Sequence, residues 1–302
     1  MKYRMTALFF IFQALQLSVA AQQIADPNFN FKVTHPVYPK AKGPVIILDE
    51  AHLNIHTLGG RYSTFGNILE NDGYVLKPGK EKFTETSLQK TKILVIANPV
   101  GDTGEWKLPT RPAFTNDEVT AVEKWVNSGG RLFIIADHMP CAGAAANLAA
   151  AFGFNFINGF AFRKNDGPEM FSKKLKNLAD NVITNGRNAN EKIDSIQLFT
   201  GSAFLPPPAA TVITNLDDGY VVELASIAWK FNETTPKLSG RHFVNGAMLQ
   251  YGTGRVVVFG EAAMFSAQLA GPDKIPMGMN QASAAQNPQL LLNIIHWLDG
   301  KL

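Results

Sequence analysis

Four short runs, at residues 45–48, 93–97, 132–136 and 256–259, contain no polar side chain at all. A strand that is apolar on both faces has to be covered on both faces, which is the situation of a strand inside a parallel sheet. Between these runs the periodicity changes to that of helices. Phe65, Ile68 and Leu69 share a face before Gly73. Thr115 and Glu118 form a capping box ahead of Val119, Val122 and Val126, and Gly129-Gly130 ends that pattern. An Ala-rich segment over 143–152 stops at Gly153, and short strand patterns at 74–76 and 154–157 complete the alternation. The reading is a mostly parallel, doubly wound sheet in an α/β three-layer α/β/α sandwich.

The second half departs from that rhythm. Residues 221–229, 247–251 and 256–259 are β-rich, and Gly252-Thr253-Gly254 joins the last two as a hairpin would. This predicts an antiparallel C-terminal extension of the same sheet. Asn287 reads as the cap of a final helix with Pro288 in its first turn and Leu290, Leu291, Ile294 and Leu298 on its buried side. The stretch 263–286, rich in Gly, Pro, Met and Asn, is too long for a plain connection and reads as a lid-type loop. Residues 22–43 read as an extended arm and 44–302 as the α/β domain.

Before the arm, Lys2 and Arg4 precede an apolar run from Met5 to Val19, with Ser18, Ala20 and Ala21 at its end. That order is the pattern of a secretory signal peptide, residues 1–21. Gln13 and Gln16 interrupt the run, which is also short for a membrane span, so stable membrane insertion is not expected. The expectation is a secreted or periplasmic bacterial protein. A formal net charge of +3, from which loss of Lys2 and Arg4 takes two positive charges, leaves no basic stripe. Nucleic acid is therefore not an expected partner. Cys141 is the single cysteine, so no internal disulfide supports the fold.

Candidate chemistry sits where apolar runs end. The first runs into Asp49-Glu50-Ala51-His52, with Asn54, His56 and Arg61 following; the second into Asn98; the third into Asp137-His138; the last through Gly260 into Glu261. Parallel strands deliver their carboxyl ends to one edge, where ligands of open α/β sheets bind. His52, His138, Glu261 and Asp137 are the acid–base candidates. Glu50, Asn54, His56, Arg61, Asn98 and Asn280 are the ligand-binding candidates. Capping of the following helices is the competing structural role for the carboxylates, but it does not call for histidines at two separate strand ends. No cofactor is expected. A divalent metal, if held, would draw on Asp49, His52, His56 and His138.

Two signals carry less than they suggest. Asp49-Glu50-Ala51-His52 spells a helicase-type box, yet the phosphate loop it needs is absent, since 73–80 has the wrong spacing and Glu81 follows. Cys141 stands where a nucleophile elbow would, but Met139 two residues before it is too large for that turn, and it reads as a buried small residue.

The segment from Asp49 to Arg61, the turn Asp137-His138-Met139-Pro140 and the run from Gly260 through Phe265 resemble exported bacterial proteins with a class I glutamine-amidotransferase-like domain. Met277-Gly278-Met279-Asn280 and Gln286-Asn287 belong to the same resemblance, which spans nearly all of the mature chain. It implies a flavodoxin-like three-layer sandwich. It does not imply glutaminase chemistry: the Gly-x-Cys-x-Gly elbow is unmatched, and Phe259 stands where the His of a His-x-Glu pair would. Two function classes follow. One is a hydrolase or lyase acting on a small polar or carbohydrate ligand; the other is a non-catalytic binding module on the same fold.

Overall fold

The computed structural model describes residues 23–164 and 168–302; the segment read as a signal peptide lies outside the described residues. Eleven strands form the main sheet: β1 (Val45–Asp49), β2 (Val75–Gly79), β3 (Ile93–Ala97), β4 (Arg131–Ile135), β5 (Asn155–Arg163), β6 (Gly201–Leu205), β7 (Thr211–Asn215), β8 (Tyr220–Glu223), β9 (Lys237–Ser239), β10 (Val244–Tyr251) and β11 (Gly254–Phe259). Their order is β9-β8-β5-β6-β10-β11-β4-β3-β1-β2, with β7 paired to β10. Strands β2, β1, β3, β4 and β11 run parallel. From β10 outward every pairing is antiparallel. The fold is thus mixed α/β, with one large sheet that is parallel in its first half and antiparallel in its second.

The helices of nine or more residues are α1 (Ser63–Asn71), α2 (Asn116–Asn127), α3 (Cys141–Ala150) and α4 (Asn287–Asp299). Alternate side chains of each parallel strand face opposite ways, and two cores result. Val95, Phe133, Ile135, Val257 and Phe259 pack with Phe65 and Leu69 of α1 and with Leu290, Leu291 and Ile294 of α4. Leu94, Ile96, Leu132, Ile134, Val256 and Val258 pack with Val122 and Val126 of α2 and Ala145 and Leu148 of α3. The apolar runs are apolar because, Val45 apart, each residue enters or packs against one core or the other. The Thr115–Glu118 capping box forms as the sequence predicts.

The β10–β11 hairpin turns at Gly252, whose φ of +56° lies in the left-handed region and whose missing Cβ would stand 2.1 Å from Asn127 Oδ1. Several expectations are corrected. The strand predicted over 221–229 stops at Glu223, and the chain then leaves the sheet as a loop. The lid-type loop over 263–286 contains a hairpin, Ala267–Ala270 with Ile275–Gly278, to which Gln23–Ala25 of the arm adds a third strand. Asn287 does not cap α4. It is fully buried, accepts the Gln197 N–H at 3.0 Å and donates to the Gln197 and Met264 carbonyls, because the backbone of the strand Ser195–Leu198 needs partners there. Among the described residues no helix is long and apolar enough to cross a membrane.

Candidate functional site

The strand order reverses direction between β1 and β3, the crevice position at which open α/β sheets bind ligands. A cavity of about 630 Å³ opens at this carboxyl edge. It is lined by residues that follow four of the parallel strands: His56 and Arg61 after β1, Asn98 after β3, Asp137 and His138 after β4, and Glu261 after β11.

Asn98 organises the floor. Its φ of +49° is a left-handed conformation that asparagine tolerates better than most residues, and it turns the side chain toward the next strand end. Its Oδ1 accepts the Asp137 backbone N–H at 2.8 Å, and its Nδ2 donates to Asp137 Oδ2 at 3.1 Å. Asp137 is held in one orientation, with Oδ1 buried and without a hydrogen-bond partner among the described residues. Burial raises its carboxyl pKa, opposed by the charge of His138 and the Asn98 hydrogen bond.

Glu261 is completely buried and accepts the Ala263 and Met264 N–H groups at 2.7 and 2.9 Å. Close backbone packing fixes it. The Gly260 carbonyl accepts the Ser202 N–H at 2.6 Å, and a Cβ on Gly201 would lie 2.1 Å from that same oxygen. Burial first, then the charge of Asp137, pushes the Glu261 carboxyl well above the usual range. Two buried carboxyls that repel each other do not both ionise readily, so ionisation of either one disfavours ionisation of the other.

His56 is buried, its ring lying edge-on to Tyr62 at 4.6 Å, and neither ring nitrogen has a partner among the described residues. Burial and the nearby Arg61 lower its pKa to about 3, so it is neutral. Arg61 donates from Nε to the Gln23 carbonyl at 3.2 Å, which ties the arm to the cavity wall. His138 packs flat on Phe160 and edge-on to Trp229, both at 4.6 Å, with Nδ1 2.8 Å from the Met139 carbonyl. That contact makes Nδ1 a donor to the Met139 carbonyl. Cys141 touches the cavity as the first residue of α3, and burial raises its thiol pKa well above the ordinary value. It is a neutral thiol.

The remaining candidates lie outside the cavity. His52 packs tilted against both Phe83 and Phe114. Its Nδ1 is 2.9 Å from both Asp49 oxygens and its Nε2 is 2.8 Å from Glu118 Oε1, so no nitrogen is left for a ligand. This corrects its assignment as an acid or base. Asp49 is engaged with His52 and the Ala51 N–H. Glu50 accepts the Leu58 N–H and pairs with Lys80. Asn54 accepts the His52 N–H. Asn280 donates to Asp26 and to the Gln268 carbonyl, bracing the wall from behind. These side chains shape the loop after β1 and the hairpin; they do not line the site. Asp49, His52, His56 and His138 do not gather, and no cluster of three His, Cys, Asp or Glu able to hold a metal occurs among the described residues.

Sequence reasoning missed the aromatic and far walls: Trp106, Phe199, Thr200, Trp229, Gln268 and Met277. Trp106 falls within a long Gly- and Pro-rich loop after an apolar strand, a signal that could have drawn attention to it. Glu169 was also missed. It lies behind Thr200, whose Oγ1 is 3.5 Å from Glu169 Oε1, and burial pushes its carboxyl up to about 7.

No protein-family model matches the sequence, and no curated protein matches it by sequence. Among solved structures the chain is similar to the mmIFT52 N-terminal domain, with a TM-score of 0.57 and 13% identity over 84% of this chain and 96% of that one. It is also similar to the cytoplasmic protein STM3548 from Salmonella typhimurium, with a TM-score of 0.51 and 11% identity over 85% and 99%. A ThuA-like protein from Bacteroides uniformis ATCC 8492 aligns with a TM-score of 0.45 and 14% identity over 87% and 94%. At such identities the first two likenesses speak for the fold alone.

Proposed function

We propose that this chain is an exported three-layer α/β/α protein of the amidotransferase-like, flavodoxin-like class. In this reading its cavity binds a small neutral polyhydroxylated ligand, a carbohydrate or a close relative, and acts on it as a hydrolase or lyase. The observation that carries this reading is a set of buried polar atoms without partners among the described residues, on side chains that line one cavity. They are both ring nitrogens of His56, Asp137 Oδ1 and Gln268 Oε1. Buried polar groups left unpaired cost free energy, and a ligand rich in hydroxyl groups, each both donor and acceptor, satisfies such a set.

Charge favours a neutral ligand. Arg61 supplies one positive charge, burial disfavours a doubly ionised Asp137–Glu261 pair, and His56 and Cys141 are neutral. Asp137, with one free oxygen and a raised pKa, suits proton donation to a leaving oxygen; Glu261 is its electrostatic partner, and His138 Nε2 is the adjacent base. A thiol nucleophile has no part, since Cys141 is neutral. The non-catalytic module is the second reading, and one observation favours it: His138 Nδ1 faces the Met139 carbonyl rather than a carboxylate partner of the kind an acid–base pair uses.

Calorimetric titration of the mature protein with a panel of mono- and oligosaccharides, alongside an assay for product release, tests both. Binding with turnover that Asp137→Asn abolishes supports the enzyme. Binding without turnover of any panel member selects the module. Absence of binding to every saccharide overturns the ligand assignment.

A further inference from the structure

The mouth of the cavity is built from two loops that sequence patterning does not join. One follows β3 and carries Trp106; the other follows β8 and carries Trp229. They are cross-linked: the Leu108 N–H donates to the Ser226 carbonyl at 2.9 Å, the Ala228 N–H donates to the Trp106 carbonyl at 2.8 Å, and Lys230 Nζ lies 3.4 Å from Glu105 Oε1. The two tryptophans therefore sit on one braced lip. Trp229 is unusual on three counts. It is 53% exposed although it belongs to the largest cluster of aromatic rings among the described residues, with His138 at 4.6 Å, Phe160 at 4.7 Å and Phe231 at 6.5 Å. Its φ is +64°, a conformation that costs a bulky side chain free energy and persists only where the surroundings impose it. And it borders the same cavity as the polar side chains of Gln23, Arg61 and Gln268.

A half-exposed indole held in an unfavourable backbone state by rings packed behind it is a rigid platform with one open side. Burial alone does not explain it, because a Trp placed only for packing would be turned inward. Resting on the carbohydrate reading of the cavity, we propose that the Trp106–Trp229 lip is an outer subsite on which a second pyranose unit stacks. The ligand is then an oligosaccharide: one unit enters among Asp137, Asn98 and His56, and the next lies across the Trp229 ring. The stacking surface suits a sugar ring, whose axial C–H groups present an apolar face while its equatorial hydroxyls reach the rim. The ion pairs on the lip bring charges of both signs, Glu105 with Lys107 and Lys230, so the rim selects for no ligand charge. Because the loops are already cross-linked, the platform needs little ordering on binding.

The test compares chain lengths. Glucose, galactose, cellobiose, lactose, maltose, cellotetraose and maltotetraose are titrated calorimetrically into the native protein, Trp229→Gly and Trp106→Ala, with folding of each variant checked by circular dichroism melts. Glycine accepts φ +64° without strain, so Trp229→Gly removes the ring and relaxes the backbone together; Trp106→Ala removes the neighbouring ring at an unstrained position. The expected result is that at least one di- or tetrasaccharide binds the native protein about tenfold more tightly than its monosaccharide, as removal of buried aromatic anchors commonly reveals. In Trp229→Gly that ratio falls to near one, and native Trp fluorescence shifts on oligosaccharide addition but not on addition of the monosaccharide. Equal affinity for all lengths in the native protein, or a length-dependent gain that survives in both variants, overturns the outer subsite and leaves the cavity reading standing. If no saccharide of the panel binds, the cavity reading falls and the subsite with it.

Discussion

Replacing His52 by alanine isolates a buried electrostatic arrangement of three side chains. The imidazole joins Asp49 at the end of β1 to Glu118 in the first turn of α2. Glu118 also caps that helix through Thr115 and accepts the Phe83 N–H. All three side chains are at most 4% exposed, so solvent screens them little. Burial pulls the His52 pKa down, but the hydrogen bonds and charges of Asp49 and Glu118 outweigh it, and the net shift is upward. Removing one partner from a buried, charged arrangement costs about 3–5 kcal/mol, because the remaining charges keep their desolvation penalty. For a domain of this size that corresponds to a loss of roughly 5–9 °C in Tm.

The pH dependence has a definite sign. A histidine with a raised folded-state pKa contributes stability that is fully present below its unfolded value of about 6.5 and fades as pH rises through the folded value. Glu118 is shifted the other way: burial opposes ionisation, but the Thr115 and His52 hydrogen bonds lower its pKa overall. Its contribution is therefore present above about 4.5 and fades as pH falls. The gap in Tm between native protein and His52→Ala should be widest between about pH 4.5 and 6.5 and narrow on both sides. Calorimetric or circular dichroism melts from pH 3 to 10 measure it. A gap below about 3 °C, or one that stays constant up to pH 10, would refute the charged bridge and leave His52 as a packing residue.

Four further outcomes are expected. Cys141→Ala should cost on the order of 1 kcal/mol in a denaturant melt and leave ligand response intact; loss of response would revive a thiol role. His138→Ala and Glu261→Gln should abolish ligand response, read by calorimetry, while the proteins stay folded. Asp137→Asn should raise Tm at pH 7–8, because a carboxyl whose folded-state pKa is raised, chiefly by burial, loses stability as pH rises, and the gain should vanish below about pH 4, where the native side chain is protonated. Intact-mass measurement of protein purified from its native host should give an N-terminus at Ala21 or Gln22; a retained leader would overturn the export reading.

Residue type and periodicity were enough to read the parallel half of the sheet, because each of its inner strands is buried on both faces and can hold nothing polar. The Thr115–Glu118 helix start and the Gly252 hairpin were equally legible, since capping and left-handed turns are local events with local residue requirements. The carboxyl edge was legible too, as the parallel direction of the strands brings Asn98, Asp137, His138 and Glu261 to one side of the sheet. Tertiary structure alone decided which residues of the β1 loop face the cavity. His52 and His56 are four residues apart with the same chemistry, yet the partner that occupies His52 is Glu118, 66 positions away, and no spacing rule reaches that far. For the same reason Asn287, a cap by its local sequence, became the partner of a strand end contributed by residue 197. Trp106 and Trp229 line one cavity only because two loops from distant parts of the chain hydrogen-bond to each other. Local pattern fixes what a segment must bury; which distant group then satisfies its remaining polar atoms is set by packing of the whole chain.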